Sequence, residues 1–339
     1  MKKGVLLVNL GSPDSTETKD VKKYLDEFLM DERVIDLPYL LRALLVKGII
    51  LNTRPKKSAK AYKKIWWPEG SPLIVLSKRL QTNLQKKVSL PVELAMRYGN
   101  PSIEHGLTQL NNQGVDEVLL LPLYPQFAMA TTETIVVLAE KIKKKKFPTM
   151  KLEIVPAFYN KKDYIKNLAD SIRDNLQNFK SDYILFSYHG VPERHIRKSD
   201  VTKSHCQINN TCCVTPSKAH DFCYRHQCLE TTRQVAEVLG LEEGKFGTSF
   251  QSRLGRDPWL QPYTDATIDG LAQKGIKNLA VVTPAFVSDC LETLEEIGME
   301  AAESFKENGG EHFLSIPCLN DREDWVHTLT SWVEEFEKK

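Results

Sequence analysis

The sequence predicts an α/β protein with two doubly wound domains, each built on a four-stranded parallel sheet flanked by helices. Three observations carry this prediction. The chain has 339 residues, which corresponds to about two domains of ordinary size. Short apolar runs alternate along it with longer amphipathic stretches, as in consecutive β–α–β units. With 41% hydrophobic and 27% charged residues, its composition is that of a globular protein.

The apolar runs predict strands in two sets of four, at 4–9, 92–97, 117–122 and 152–156, then at 183–188, 245–250, 279–284 and 313–316. Short continuous runs of this kind are typical of parallel strands buried on both faces. The helical patterns lie near 17–30, 73–87, 102–112, 132–145, 162–178, 230–239, 264–274, 289–306 and 323–338. We therefore predict domains over 1–160 and 161–339. Whether the final helix packs back on the first domain is left open.

Charge and hydropathy exclude several classes of protein. The 46 basic and 44 acidic side chains nearly cancel, which gives no electrostatic reason to expect a nucleic-acid partner. No apolar run reaches the roughly 18 residues of a transmembrane helix. The apolar run after Lys3 is short and ends in GSPDS, unlike the cleavage site of a signal peptide. We interpret it as a buried strand and predict a cytoplasmic protein.

The segment 33–57 breaks the alternation because it is strongly apolar, although Asp36, Arg42 and Lys47 interrupt it. Its ordinary interpretation is an amphipathic core helix. The alternative is an apolar lip, centred on 37–51, over a flat hydrophobic ligand or against a membrane surface.

A cysteine-rich insertion at 203–228 is the second irregular segment. It holds five of the seven cysteines, Cys206, Cys212, Cys213, Cys223 and Cys228, together with His205, His220 and His226. Disulfides are rare in the cytosol, and the pair spacing of zinc sites is missing, whereas an iron–sulfur cluster needs only four thiolates. An iron–sulfur cluster is therefore favoured, with zinc and unligated thiols as alternatives. No strand or helix pattern is seen here, so we expect a metal to fold the segment.

Two strand ends carry side chains suited to chemistry, because ligands of parallel sheets bind beyond the carboxyl ends of the strands. His189 ends a predicted strand, and Gly190 behind it permits a sharp turn. The alternative is a satisfied polar residue. Asp289, Glu292 and Glu296 follow another strand at a spacing of i, i+3 and i+7, which predicts one shared helix face. They would either complement the helix dipole or bind a divalent cation and accept protons.

Loops after the first three strands combine glycine, aromatic and polar residues, at 9–13, 97–101 and 122–127. This composition suits a broad planar organic ligand with carboxylates at its rim. The sequence NLGSP is not a dinucleotide fingerprint and no Walker lysine follows it, which disfavours nucleotide phosphates.

Together these motifs resemble the ferrochelatase family, whose members insert ferrous iron into protoporphyrin IX. The matching segments include NLGSPD at 9–14, YLDEFLMDERVID at 24–36, MRYGNPSI at 96–103, LPLYPQF at 121–127, FSYHGVPERH at 186–195, FQSRLGRDPWLQPYTD at 250–265 and AFVSDCLETLEEI at 285–297. They run in order over about residues 3–300.

The resemblance implies two Rossmann-like domains, with the porphyrin in the cleft between them, and a lyase that uses Fe(II) as substrate in haem synthesis. It implies a catalytic, metal-facing pair of His189 and Glu292, and an acidic path through Glu296 and Asp289. The porphyrin-binding residues that it implies are Asn9, Leu10, Arg97, Tyr98, Tyr124 and Trp259. The apolar lip would border the pocket and make peripheral contact with the inner face of a membrane.

One position departs from the family, because Cys290 stands where many relatives have histidine. Some relatives carry a 2Fe–2S cluster, so the resemblance favours a cluster on four of the five clustered cysteines without fixing which four. A cobalt or nickel chelatase and a non-catalytic tetrapyrrole sensor are the alternative functions. The acidic residues beside His189 favour the enzyme. The oligomeric state stays open.

Overall fold

A computed structural model, which describes residues 2–209, 211–253, 255 and 257–339, confirms the predicted fold class. Its strands are β1 (Lys3–Asn9), β2 (Val92–Met96), β3 (Glu117–Pro122), β4 (Lys151–Ile154), β5 (Tyr183–His189), β6 (Phe246–Gln251), β7 (Asn278–Val282) and β8 (His312–Ser315). They form two four-stranded sheets in the orders β2-β1-β3-β4 and β6-β5-β7-β8, and all the pairings between them are parallel.

The α-helices are α1 (Thr18–Leu29), α2 (Tyr39–Ala43), α3 (Leu51–Ile65), α4 (Pro72–Gln85), α5 (Ile103–Asn112), α6 (Thr134–Lys146), α7 (Lys162–Leu176), α8 (Glu193–Ser199), α9 (Tyr224–Leu239), α10 (Thr264–Gln273), α11 (Ala302–Glu307) and α12 (Glu323–Lys338). Wider π-helical turns span Leu44–Ile50, Met129–Glu133 and Glu292–Ala301, and a 3₁₀ turn spans Lys218–Phe222. The nine predicted helices are confirmed in position, whereas α8 was not predicted. The cysteine-rich segment also contains the 3₁₀ turn and the start of α9, so the prediction that it lacks helix is wrong.

The chain divides into two compact units, each built on one sheet. The first unit comprises the residues up to Leu123, Met129–Pro156 and Asn320–Lys339, and the second comprises Tyr124–Ala128 and Ala157–Leu319. Helix α12 therefore belongs to the first unit, where it packs on α4.

The central strands of both sheets are buried along their length except at their end residues, because each has a strand on either side and helices over its faces. In the second unit, the helical stretch after β7 is held to the sheet by Ile297 and Phe305, which pack in one core cluster with Leu185 and Val281. This packing fixes the start of that helix near the carboxyl end of β7.

The strand order of the second sheet creates a crevice at its centre. The chain runs from β5 outward to β6 and then returns to β7 on the other side of β5. The loops that follow β5 and β7 therefore leave in opposite directions at neighbouring strand ends, which is where doubly wound sheets bind ligands.

The irregular segment 33–57 is helical from Tyr39 onward, through α2, the π-helical turn and the first part of α3. Val46 and Ile50 are buried as a core helix requires, whereas Leu40, Leu44 and Ile49 are 80%, 68% and 58% exposed. The segment thus has a core face and an exposed apolar face. Among the described residues, none of the helices is long and apolar enough to cross a bilayer.

Candidate functional site

His189 is the last residue of β5 and is partly buried. Its Nδ1 lies 2.7 Å from the carbonyl oxygen of Gly190. Because a carbonyl oxygen only accepts hydrogen bonds, Nδ1 carries the proton of the neutral ring and Nε2 keeps its lone pair. The ring of Phe286 packs edge-on against the imidazole, with 6.4 Å between centroids. His189 can therefore accept a proton, or bind a metal ion, through Nε2.

Gly190 is required by the close packing behind the histidine. Its N–H donates to the carbonyl of Gln251 at 2.6 Å. A Cβ atom at Gly190 would lie 2.9 Å from that oxygen and 3.3 Å from the indole of Trp259. Trp259 is held here because its neighbours pair with the chain after β5, where Leu260 donates to Val191 at 3.1 Å.

Glu292 and Glu296 lie one turn apart at the start of the helix that follows β7. Burial, together with the negative charge of Glu292, raises the pKa of Glu296 to about 7. The Ser252 hydroxyl donates to the Glu296 carboxylate and opposes part of this rise. Glu296 can therefore take up and release a proton near neutral pH.

The prediction that Asp289 shares this helix face is wrong, because the helix starts after it. Asp289 is buried in the preceding loop, where its Oδ1 accepts hydrogen bonds from Thr293 Oγ1 at 2.8 Å and Cys318 N at 3.3 Å. Its carboxylate therefore supports the helix start, and its place on an acidic path stays a prediction. Next to it, burial and the charge of Glu292 raise the pKa of Cys290, so this thiol stays protonated.

Gln251 and Ser252, which join the two sides of this site, were not predicted from the sequence. Gln251 is paired with His189 in the sheet, and its Nε2 donates to the Glu292 carbonyl at 3.5 Å. Ser252 has a left-handed backbone, with φ of +58°, an uncommon conformation for serine that is typical of functional sites. Their position directly at the end of a buried strand was the available signal, because it is the same signal that identified His189.

The ferrochelatase family model matches residues 2–337. The chain belongs to the ferrochelatase family. Curated ferrochelatases of Pseudomonas syringae pv. tomato and Azotobacter vinelandii are both 50% identical to it, over 97% and 96% of each chain. That of Ectopseudomonas mendocina is 51% identical over 96% of this chain and 95% of its own. The predicted family and the prediction of a metal-chelating lyase that acts in haem synthesis are thereby confirmed.

Solved structures support the fold of this ferrochelatase. SirB from Bacillus subtilis with Fe³⁺ aligns over 99% of this chain and 95% of its own, with a TM-score of 0.57 and 13% identity. The sirohydrochlorin chelatase SirB of subspecies spizizenii, in complex with cobalt, aligns with a TM-score of 0.53 and 12% identity. At this identity the likeness concerns the fold alone.

The predicted porphyrin residues of the first unit of the ferrochelatase lie around the ends of β1 and β2. Asn9 is buried, and the backbone N–H groups of Arg97 and Tyr98 donate to the carbonyls of Asn9 and Leu10, both at 2.8 Å. The side chains of Arg97 and Tyr98 both contact the Asp31 carboxylate. These two side chains are therefore held inside the unit.

The Asp31 carboxylate is the centre of that network. Burial alone would raise its pKa, but the hydroxyl of Thr134 at 2.5 Å and the charge of Arg97 lower it. In the second unit, Tyr124 is buried and Trp259 is partly buried. Porphyrin contact of these residues stays a prediction.

The five clustered cysteines are all buried free thiols. Cys206 and Cys213 both lie beside the thiol of Cys223. The contact between Cys213 and Cys223, together with burial, raises the pKa of Cys213. Burial raises the pKa of Cys206 to about 11. Arg225 donates to Cys213 Sγ at 3.1 Å. In the described parts of the chain, no three His, Cys, Asp or Glu side chains are arranged to hold one metal ion.

Three imidazoles hold the backbone between these cysteines. His205 Nε2 and His220 Nε2 lie 2.7 Å and 3.0 Å from the Cys212 carbonyl, and His226 Nδ1 lies 2.7 Å from the Cys213 carbonyl. The rings of His220 and His226 are stacked, with centroids 3.6 Å apart. Burial and the neighbouring His220 lower the pKa of His226. Because carbonyl oxygens only accept, the three histidines act as hydrogen-bond donors to the cysteine turn.

Proposed function

We propose that this chain inserts Fe(II) into protoporphyrin IX, with His189 and Glu292 as the groups that contact the reacting atoms. The ferrochelatase relatives support the substrates. The observation that carries the residue roles is the position of Gln251, which pairs with His189 across the sheet and donates to the Glu292 backbone at 3.5 Å. Gln251 thus links the two strand ends: its backbone pairs with the strand end that carries His189, and its side chain donates to the backbone of Glu292.

Insertion of iron requires two proton acceptors, because the porphyrin loses two pyrrole protons as Fe(II) exchanges water for four ring nitrogens. Nε2 of His189 carries a lone pair and accepts one proton, which gives the imidazolium. The Glu292 carboxylate accepts the other. Glu296, with its pKa near 7, passes protons from Glu292 to solvent at neutral pH.

The test is anaerobic addition of Fe(II) to the protein with protoporphyrin IX, followed by the loss of porphyrin fluorescence and the rise of haem absorbance. His189→Ala should reduce turnover at least about a hundredfold, the usual contribution of a positioned base, while porphyrin binding changes little. His312→Ala, which removes an exposed histidine of the same unit, is the matched control. Near-normal turnover of His189→Ala would remove this residue from the mechanism. Tight porphyrin binding without turnover, with Co(II) and Ni(II) also inert, would favour a tetrapyrrole sensor.

We also propose a 2Fe–2S cluster on Cys206, Cys212, Cys213 and Cys223. The chemistry of the donor set supports it, because all four thiols are buried, Cys206 interacts with the other three, and Cys213 also lies beside Cys223. A two-iron cluster takes two thiolates per iron, so it does not need three protein ligands around one ion. Cys206, Cys212, Cys213 and Cys223 would hold such a cluster, which would cross-link this segment and so stabilise it.

Cys228 is the control for this assignment, because it lies within α9 and is fully buried on that helix. Anaerobically purified Cys228→Ser should keep the visible absorption, iron and acid-labile sulfide of one cluster per chain. Cys206→Ser should lose all three. Equal cluster content in the two variants would refute the ligand set, and zinc without sulfide in the wild type would refute the cluster.

We propose a peripheral membrane contact through the exposed apolar face of the first unit, formed by Leu40, Leu44 and Ile49. Sedimentation with vesicles of phosphatidylglycerol and phosphatidylethanolamine tests it. Leu44→Asn should weaken sedimentation, and Val238→Asn, at a 47% exposed valine of the second unit, should not. Absence of any vesicle binding would refute the contact. A cytoplasmic location stays a prediction.

A further inference from the structure

The peptide that follows His189 is fixed by hydrogen bonds from two directions. On the sheet side, the N–H of Gly190 donates to the Gln251 carbonyl at 2.6 Å. On the helix side, the hydroxyl of Tyr224 donates to the His189 carbonyl at 2.8 Å. The imidazole itself donates to the next carbonyl, that of Gly190, at 2.7 Å. Any movement of this peptide therefore moves the ring.

Tyr224 joins that peptide to the cysteine-rich segment. It is the first residue of α9 and directly follows Cys223, whose Sγ caps the helix by accepting from His226 N at 3.5 Å. The Cys223 thiol is in turn a neighbour of the Cys206 and Cys213 thiols. A change in the contacts of Cys223 is therefore transmitted to the backbone of Tyr224.

The surroundings of Tyr224 leave its hydroxyl little freedom. The side chain is 6% exposed, and the fully buried Cys228 lies one turn further along the same face of α9. A carbonyl oxygen only accepts hydrogen bonds, so the Tyr224 hydroxyl must be the donor of its bond with the His189 backbone. The His189 carbonyl is its acceptor.

We propose that Tyr224 is a positioning residue for His189, and that its hydroxyl makes the orientation of the imidazole depend on the state of the cysteine-rich segment. This inference rests on the proposed role of His189. It explains why a segment with no step in a redox-neutral reaction contains a residue whose hydroxyl donates to the backbone carbonyl of His189. A displacement of a reacting group by about 1 Å costs up to about a hundredfold in rate, so a single hydrogen bond at this peptide has a measurable effect.

The test compares Tyr224→Phe with Tyr164→Phe. Tyr164 is the matched control, because its equally buried hydroxyl donates to another backbone carbonyl, that of Pro284, at 3.0 Å. Tyr224→Phe should lower kcat about tenfold or more with little change in the KM for protoporphyrin IX, and Tyr164→Phe should not. A rise in KM with unchanged kcat, or equal effects of the two variants, would overturn the positioning role.

A second readout follows the imidazole directly, by NMR of the protein labelled with ¹⁵N at histidine. The chain has eight histidines, so the His189 resonance is identified by its absence in His189→Ala. The resonance that His189→Ala lacks should move in Tyr224→Phe and stay in place in Tyr164→Phe. Cys223→Ser should also move it, and this second shift should vanish in the Tyr224→Phe background. Equal shifts in both backgrounds would show that the coupling bypasses Tyr224.

The two proposals fail in distinguishable ways. If His189→Ala turns over normally, the role of His189 falls and the positioning role falls with it. If His189→Ala is inactive while Tyr224→Phe matches the wild type in kcat and in the His189 resonance, only the inference about Tyr224 is wrong. A thermal melt of each variant shows that the compared proteins are folded.

Discussion

Replacement of Glu296 by glutamine tests whether a buried carboxyl group has been tuned to neutral pH. Burial and the charge of Glu292 raise the pKa of Glu296 from 4.5 to about 7. Since the folded protein holds this proton more tightly than the unfolded chain does, the wild type loses stability as the pH rises from about 4.5 to about 7. The loss is complete about one pH unit above that. Glutamine is neutral at every pH, so the variant does not have this loss.

The size of the effect follows from the two pKa values. Between pH 5 and pH 8, ionisation of Glu296 lowers the free energy of unfolding by roughly 2.5 kcal/mol. Glu296→Gln should not show this loss. The difference in free energy of unfolding between the variant and the wild type should therefore be more favourable to the variant at pH 8 than at pH 5, by about the same amount. The Ser252 hydroxyl can still donate to the amide oxygen of glutamine, so the main change is the lost charge.

The assay is urea unfolding of the full chain at pH 5 and pH 8, with Glu303→Gln as the control at an exposed position of the same helix. Turnover gives a second measure. If Glu296 accepts protons as a carboxylate, wild-type kcat should rise with pH around a midpoint near 7, and this rise should be absent in Glu296→Gln. Parallel pH dependences of wild type and variant, in stability and in kcat, would show that Glu296 does not titrate near neutral pH.

Two further predictions concern packing and charge. Gly190→Ala should destabilise the protein by about 1–3 kcal/mol, because its Cβ would meet the Gln251 carbonyl at 2.9 Å. The control is Gly270→Ala in α10, where there is open space around the glycine. In thermal melts this control should be neutral or stabilise the protein by up to about 1 kcal/mol. Asp31→Asn should cost about 3 kcal/mol or more by leaving Arg97 without its carboxylate. The pKa of Asp31 is lower in the folded protein than in the unfolded chain, so the Asp31 carboxylate stabilises the fold above the ordinary carboxyl pKa near 4. This stabilisation is lost as the pH falls. An acid-unfolding midpoint that is unchanged in Asp31→Asn would contradict this.

The sheets were predictable from the sequence because their strands are buried on both faces. Continuous runs such as VLLV in β1 have no other stable place in an α/β protein, and the structure buries them completely. The same logic led to His189, since a polar residue that ends a buried strand lies at the edge where ligands bind.

The start of α9 was not predictable, because its first turn has no apolar period. Its residues YRHQC are helical because Cys223 caps the helix and because Tyr224 and Cys228 are buried by the tertiary structure. Spacing likewise failed for Asp289. It shows which residues share a helix face, but it does not show where a helix begins. Here the loop hydrogen bonds of Asp289 determine that point.

The assignment of α12 to the first unit has a consequence for biosynthesis. A ribosome delivers β1 to β4 before nearly all of the second unit, and it delivers α12 only after that unit. Trp325 and Phe336 of α12 are buried, and the Phe336 carbonyl accepts a hydrogen bond from Lys3 Nζ at 2.8 Å. Domains usually fold in the order in which they emerge. In this chain the second unit can be completed before the first, so the surface of α4 that α12 covers stays exposed until α12, which is translated after the second unit, has emerged.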